Sequence, residues 1–224
     1  MEQIVMTVVV LLLSAVVHEY AHGWVALRLG DTTARDAGRL TLNPLRHIDP
    51  VGSIVVPLLL VLSSGMLLAW ARPVPVRADR MRDPVAGQAS VAAAGPGSNL
   101  LLALLSAVLW GLLVGSMRAN PGLAEVPGVN LLELFLRVGI LANVWLAVIN
   151  ALPVPPLDGS WILARYLPAA LRARYLALGR YGFLLMLGLL VVLRFSDATV
   201  LGDVIGRVMA PFFALAGAVA GLLA

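Results

Sequence analysis

The chain has 224 residues, of which 60% are hydrophobic and 12% charged; that charged share is about half of what a water-soluble domain carries, which excludes an ordinary soluble enzyme and places the chain in a bilayer. Its net charge of +4 comes from arginines with no lysine, and these sit in the gaps between apolar runs, which argues against a nucleic-acid partner and for topology-setting loops on a cytoplasmic face. With no cysteine, disulfides and thiolate metal sites are excluded, so any metal must be held by His nitrogens and carboxylate oxygens.

A helix needs roughly 20 apolar residues to cross a hydrocarbon core about 30 Å thick. The first such run predicts a helix over 4–29, ending at Gly30-Asp31 as a C-cap. It lacks a positive leader and a small-residue cleavage site, so it reads as a permanent helix rather than a signal peptide. An Arg-rich loop over 32–50 follows. The next apolar stretch, 51–70, is interrupted by Pro57 and Ser63-Ser64-Gly65 and runs into the proline-punctuated 71–76.

If 51–70 crossed the membrane, Arg72, Arg77, Arg80 and Arg82 would lie opposite Arg28, Arg35, Arg39 and Arg46, against the positive-inside rule. A re-entrant hairpin turning near 63–65 and returning extended removes the conflict, and such backbone is tolerated at depth only against protein or a water cavity. Val74-Pro75-Val76, beside that element, is a candidate edge strand for an unwound substrate, with a plain linker as the alternative.

Further helices are expected over 84–117 and 131–152, a short interfacial helix over 160–171, and two spans over 176–193 and 200–223. The expectation is an all-α integral membrane protein with about five transmembrane helices, a re-entrant hairpin with a short extended segment, and its N-terminus outside. This arrangement puts twelve arginines inside and only Arg118 and Arg194 outside, leaving Arg137 and Arg207 within apolar runs. Residues 1–224 form one polytopic domain, with a catalytic core over about 4–160 and C-terminal helices over about 172–224.

His18-Glu19-Tyr20-Ala21-His22 is an HExxH pattern. On a helix, positions i and i+4 share a face, so two imidazoles can bind one zinc ion, with the intervening Glu19 as general base. His18 lies fourteen residues beyond Ile4, roughly 21 Å along a helix, which puts ionisable side chains below mid-membrane, where they are costly. Interhelical hydrogen bonding is the plainer reading of such residues. Catalytic zinc keeps three protein ligands, and Asp158 is the best third candidate, held behind Pro153, Pro155 and Pro156 and before Gly159, which would let the backbone turn sharply; an N-cap role is the alternative. Asn150, eight residues earlier, is a candidate donor to the oxyanion or an interhelical hydrogen bond. His47 is a loop histidine, read as structural or as a gate near the metal, not as a ligand.

HEYAH in the first helix, Ala94-Gly95-Pro96-Gly97-Ser98-Asn99 opening the next span, and the run from Asn150 to Asp158-Gly159 together resemble the site-2 protease family of intramembrane zinc metalloproteases, over nearly two thirds of the chain. The resemblance implies one zinc ion per chain held by His18, His22 and Asp158, water activated by Glu19, and Asn150 assisting substrate or oxyanion. It also implies peptide-bond hydrolysis in or near transmembrane segments of membrane-protein substrates, in a bacterial or archaeal cell membrane, with the site toward the cytoplasmic side. The expected form is minimal, without a PDZ or nucleotide-binding domain and with the motif in the first segment. Rival functions are a non-proteolytic zinc scaffold, which needs no Glu19, and a small transporter, which would show paired broken halves.

Overall fold

In a computed structural model, residues 2–49, 71–195 and 199–223 are described; the expected hairpin over 51–70 lies outside them. The described residues are helical and contain no β-strand. Helix α1 covers Glu2–Arg28, a single turn α2 covers Thr33–Asp36, and α3 and α4 cover Pro84–Ala119 and Val129–Ala151. They are followed by α5 (Asp158–Ala164), α6 (Ala169–Ala177), α7 (Gly182–Phe195) and α8 (Thr199–Gly221). Among the described residues, four helices are long and apolar enough to cross a membrane, namely α1, α3, α4 and the part of α8 over Leu201–Gly221, as in a multi-pass membrane protein. Their outward faces are apolar, with Leu101 68% and Leu105 55% exposed while Asn99 is fully buried. This inverts the pattern of a protein built for water and suits a lipid solvent.

Helix α3 is the hub, packing against α1, α4, α5 and α8. Asp83 caps it by accepting from the N–H groups of Val85 and Ala86, and Pro84 occupies its first turn, both legible start signals. Its buried residues include Gly87, Val91, Gly95, Asn99, Ala103, Ala107, Gly111 and Gly115, one at every fourth position. Four residues advance a helix by about 400°, so this stripe slips about 40° round the axis per step. The drift turns the small residues from one neighbour to the next. At Gly95 an added Cβ would lie 2.5 Å from the His18 and His22 rings of α1, and at Gly111 it would lie 2.5 Å from the Ala216 carbonyl of α8. Without a hydrophobic drive between helices in lipid, such close approach supplies the packing. Helix α1 answers with its own stripe of Val10, Ser14, His18, His22 and Ala26, so both histidines face α3.

The C-terminal third departs from the sequence reading. The single interfacial helix expected over 160–171 is two, because Pro168 interrupts it and serves as the N-cap of α6. The Arg172 guanidinium donates to the Ala164 and Leu167 carbonyls and so closes the end of α5. The span expected over 176–193 begins instead as the end of α6, passes through a 3₁₀ turn over Leu178–Tyr181, and becomes α7, 14 residues long. The re-entry of polar Gly179-Arg180 into the run loosens the first turns.

Residues 71–77 form no helix or bridge and are strapped across the end of α1. The Arg72 N–H donates to the His47 carbonyl (2.8 Å), and Arg39 donates to the Arg72 carbonyl (2.8 Å). Buried Asp31 accepts from the Thr33 N–H, the Thr33 hydroxyl and the Arg77 N–H, the last at 2.6 Å. Gly30, at φ +108°, makes the turn that puts Asp31 there, as its C-cap reading requires. Burial pushes the Asp31 carboxyl up, but the Arg77 and Thr33 donors outweigh it and hold it below the ordinary 3.8.

Two outcomes follow from this packing. Gly111→Val is expected to lower the thermal midpoint in detergent, at a cost on the order of 1–3 kcal/mol, because the Ala216 carbonyl is backbone and cannot rotate away. Gly97→Ala, with nothing within 4 Å of its added Cβ, should not. A carboxyl whose folded pKa is depressed stabilises above its unfolded value and loses that contribution as pH falls through the folded one. The gap in thermal midpoint between wild type and Asp31→Asn should therefore be full at neutral pH and close as pH falls below 3.8.

Candidate metal centre

His18 and His22 stand one turn apart on α1 with ring centroids 4.6 Å apart. Their Nε2 atoms lie 3.1 Å and 3.4 Å from Asp158 Oδ2 and Oδ1 respectively. The three side chains offer ligand atoms all within 4.8 Å of one another, and among the described residues they are the group able to hold a metal ion. Asp158 is delivered by a loop that leaves α4 at Ala151 and is pinned where the Tyr175 hydroxyl donates to the Pro153 carbonyl (2.7 Å). The N-cap position of α5 belongs to Leu157, and the Asp158 carboxylate turns to the imidazoles instead of capping.

Gly159 serves this loop differently from the expected sharp turn. Its φ is not positive. What it provides is space, since an added Cβ would lie 2.1 Å from the Ala151 carbonyl oxygen. A side chain there would push the start of α5, and Asp158 with it, off the end of α4.

The outer nitrogens of both rings are committed. His22 Nδ1 meets the Val91 carbonyl at 2.7 Å, which only accepts, so Nδ1 carries the proton. Pro96 has no N–H to offer the Ala92 carbonyl and crowds that turn of α3, next to the Val91 carbonyl that His22 uses. His18 Nδ1 meets Asn99 Oδ1 at 2.7 Å; Asn99 Nδ2 donates to Asn143 Oδ1 (2.8 Å), and Asn143 Nδ2 donates to the Gly139 carbonyl (2.9 Å). Because the last member only accepts, each amide upstream has one orientation, and the series ends with a proton on His18 Nδ1.

Both Nε2 atoms therefore present lone pairs toward a carboxylate. Asp158 Oδ2 is buried and takes no hydrogen bond, although His18 Nε2 stands 3.1 Å away. Converging lone pairs repel unless a cation lies among them, and two imidazoles with one carboxylate are a donor set for zinc. The outer-nitrogen bonds are the partners that metal-bound histidines use to fix their tautomer.

Glu19 follows His18, and its Oε2 accepts the Val74 N–H at 2.8 Å. Pro73 and Pro75 have no N–H, so Val74 holds the only amide of that triplet. Asn150 Nδ2 donates to the Leu146 carbonyl of its own helix (2.9 Å), which leaves a second N–H on the same nitrogen. His47 is buried and donates from Nε2 to the Thr41 carbonyl (2.8 Å), a structural role under the strap. Sequence reading missed Val91 and Asn143 as parts of the site, and named Gly95 and Asn99 in a motif without assigning either a role. Asparagines in the middle of apolar runs were the available signal.

Named proteins resemble the chain over most of its length. It is 39% identical over 184 residues to "Putative zinc metalloprotease YwhC" of Bacillus subtilis, covering 82% of this chain and 79% of that protein. To "Putative zinc metalloprotease Rip2" of Mycolicibacterium smegmatis it is 33% identical over 184 residues, covering 80% and 64%. To the Mycobacterium tuberculosis protein of the same name it is 33% identical over 165 residues, covering 73% and 58%. The chain thus spans less than two thirds of either Rip2 protein. No family model and no solved structure matches it.

Gly95 gives the site a test free of any ligand change. Gly95→Ala places a methyl 2.5 Å from both rings and is expected to strip bound metal as completely as His22→Ala does, read by elemental analysis of the purified protein.

Proposed function

The chain belongs to the zinc metalloprotease family of YwhC and Rip2, and we propose that it is an intramembrane endopeptidase of the site-2 protease type. Its reaction is hydrolysis of peptide bonds in or near transmembrane segments of other membrane proteins. The observation that carries this is the convergence of His18 Nε2, His22 Nε2 and the Asp158 carboxylate, with Glu19 next in the chain to the first of them. A zinc scaffold has no use for that carboxylate.

His18, His22 and Asp158 would hold one zinc ion per chain, which when bound would supply a Lewis acid and acidify a water near neutral pH. Glu19 is the base placed to take a proton from the attacking water and return it to the departing amine. With Oε2 tied to the Val74 N–H, its other oxygen is the one free to carry the proton, and the strap holds the carboxylate still meanwhile. Asn150 offers its second N–H to the substrate carbonyl, where negative charge develops. His18 and His22 are only 8% and 9% exposed, so bulk water is kept from the reacting atoms.

Substrate reaches the site from the bilayer, since the helices that hold it are lipid-facing. Twelve loop arginines against two support a cytoplasmic-side site. The same count supports a fifth crossing by α7 together with the 3₁₀ turn before it. The cell membrane of a bacterium or archaeon is the setting this implies.

Glu19→Gln keeps every metal donor and removes the base. It is expected to retain one zinc per chain while cleavage of single-span model substrates in detergent falls by about 10²–10⁴. Wild-type protein that is folded and binds no zinc would overturn the proposal.

A further inference from the structure

We propose that Asn143, which touches neither histidine, is a positioning residue for the metal centre, acting through the Asn99 amide to decide which nitrogen of His18 carries the proton. The proposal rests on the zinc reading given above and adds to it a control that lies two hydrogen bonds from the metal ligand.

The series from His18 to Gly139 joins three membrane-spanning helices, α1, α3 and α4, and all of it is inside the protein: His18 is 8% exposed, Asn99 0% and Asn143 3%. Helices α3 and α4 come close enough for the two amides to meet because residue 139 is a glycine; an added Cβ would lie 2.6 Å from Ser106 Oγ. A primary amide is nearly symmetrical in shape, and turning it over exchanges an acceptor for a donor. Asn143 Oδ1 is the group that opposes this turn at Asn99, because after it two oxygens would face each other. The Gly139 carbonyl holds Asn143 in the same way.

Remove the Asn143 acceptor and the Asn99 amide is free to turn. Its NH₂ then faces His18 Nδ1, which must accept, and the imidazole proton moves to Nε2. There it stands 3.1 Å from Asp158 Oδ2, the buried oxygen that has no hydrogen bond as the side chains lie, and a small turn of the carboxylate completes the bond. The turned state is self-consistent at both ends, and in it His18 has no lone pair for a metal. The same three side chains thus support a metal-ready and a metal-refusing arrangement, and Asn143 with Gly139 selects the first. Outer partners of this kind are worth about 10–100-fold in metal affinity.

The test is zinc affinity by chelator competition in detergent, for wild type, Asn143→Leu, Asn99→Asp and the double variant. An aspartate at 99 has two equivalent oxygens, so one always faces His18 Nδ1; in the single variant the other meets Asn143 Oδ1, a repulsion that the leucine of the double variant removes. Asn143→Leu is expected to bind zinc about 10–100-fold more weakly than wild type, and the double variant to bind it at least as tightly as Asn99→Asp. Since the double variant carries the same leucine, its recovery separates amide orientation from packing. Asn143→Leu binding zinc as tightly as wild type would overturn the proposal, and so would a double variant as weak as Asn143→Leu alone. Wild type holding no zinc would instead remove the parent reading, a distinguishable result.

Discussion

The structure turns on the hydrogen bonds made by the outer nitrogens of two imidazoles. A histidine in a membrane helix can turn either nitrogen outward and can carry its proton on either one. Here the Val91 carbonyl and the Asn99 amide oxygen take both Nδ1 protons, and this leaves the inner nitrogens as bases facing a carboxylate. Remove those two acceptors and the convergence with Asp158 becomes an ordinary histidine–aspartate hydrogen bond, with nothing to attract a cation.

Much of the helix packing follows from bringing those acceptors within reach. Val91 and Asn99 lie two turns apart on α3 and bracket Gly95, whose missing side chain admits both rings. The four-residue spacing of small residues lets α3 lie against α1 at this level and against α8 further along. Pro96 and the glycines would weaken an isolated helix; in the bundle they serve contact, and the neighbours compensate for what the helix lacks. The Asp158 loop uses the same device, since Gly159 is there to let two backbones touch.

On its other side the site is closed by chain with no regular structure. Residues 71–77 are fixed at Arg72 by the His47 carbonyl and Arg39 and at Arg77 by Asp31, while the central amide of Val74 goes to Glu19. Flanking prolines leave Val74 the one amide of the triplet 73–75 that meets the carboxylate. Irregular backbone near membrane depth is tolerated when its polar groups have such partners.

How far the sequence alone reached can be read from these residues. It determined that the chain is a helical membrane protein, because the solvent imposes run length and charge placement directly on composition. It also determined that His18, Glu19 and His22 share one turn, because helix geometry converts i, i+4 spacing into proximity, and it placed the start of α3 at residue 84 and the stop of α1 at Gly30. Asp158 was legible as a candidate but equally as a helix cap, since spacing says nothing about which way a carboxylate turns. The orientation of Asp158, the hydrogen bonds of Asn99 and Asn143, and the space at Gly95 and Gly159 were decided by the tertiary structure. Each depends on which atoms of separate segments come into contact, and that is set by how helices pack, a property of pairs of surfaces that no single stretch of sequence contains.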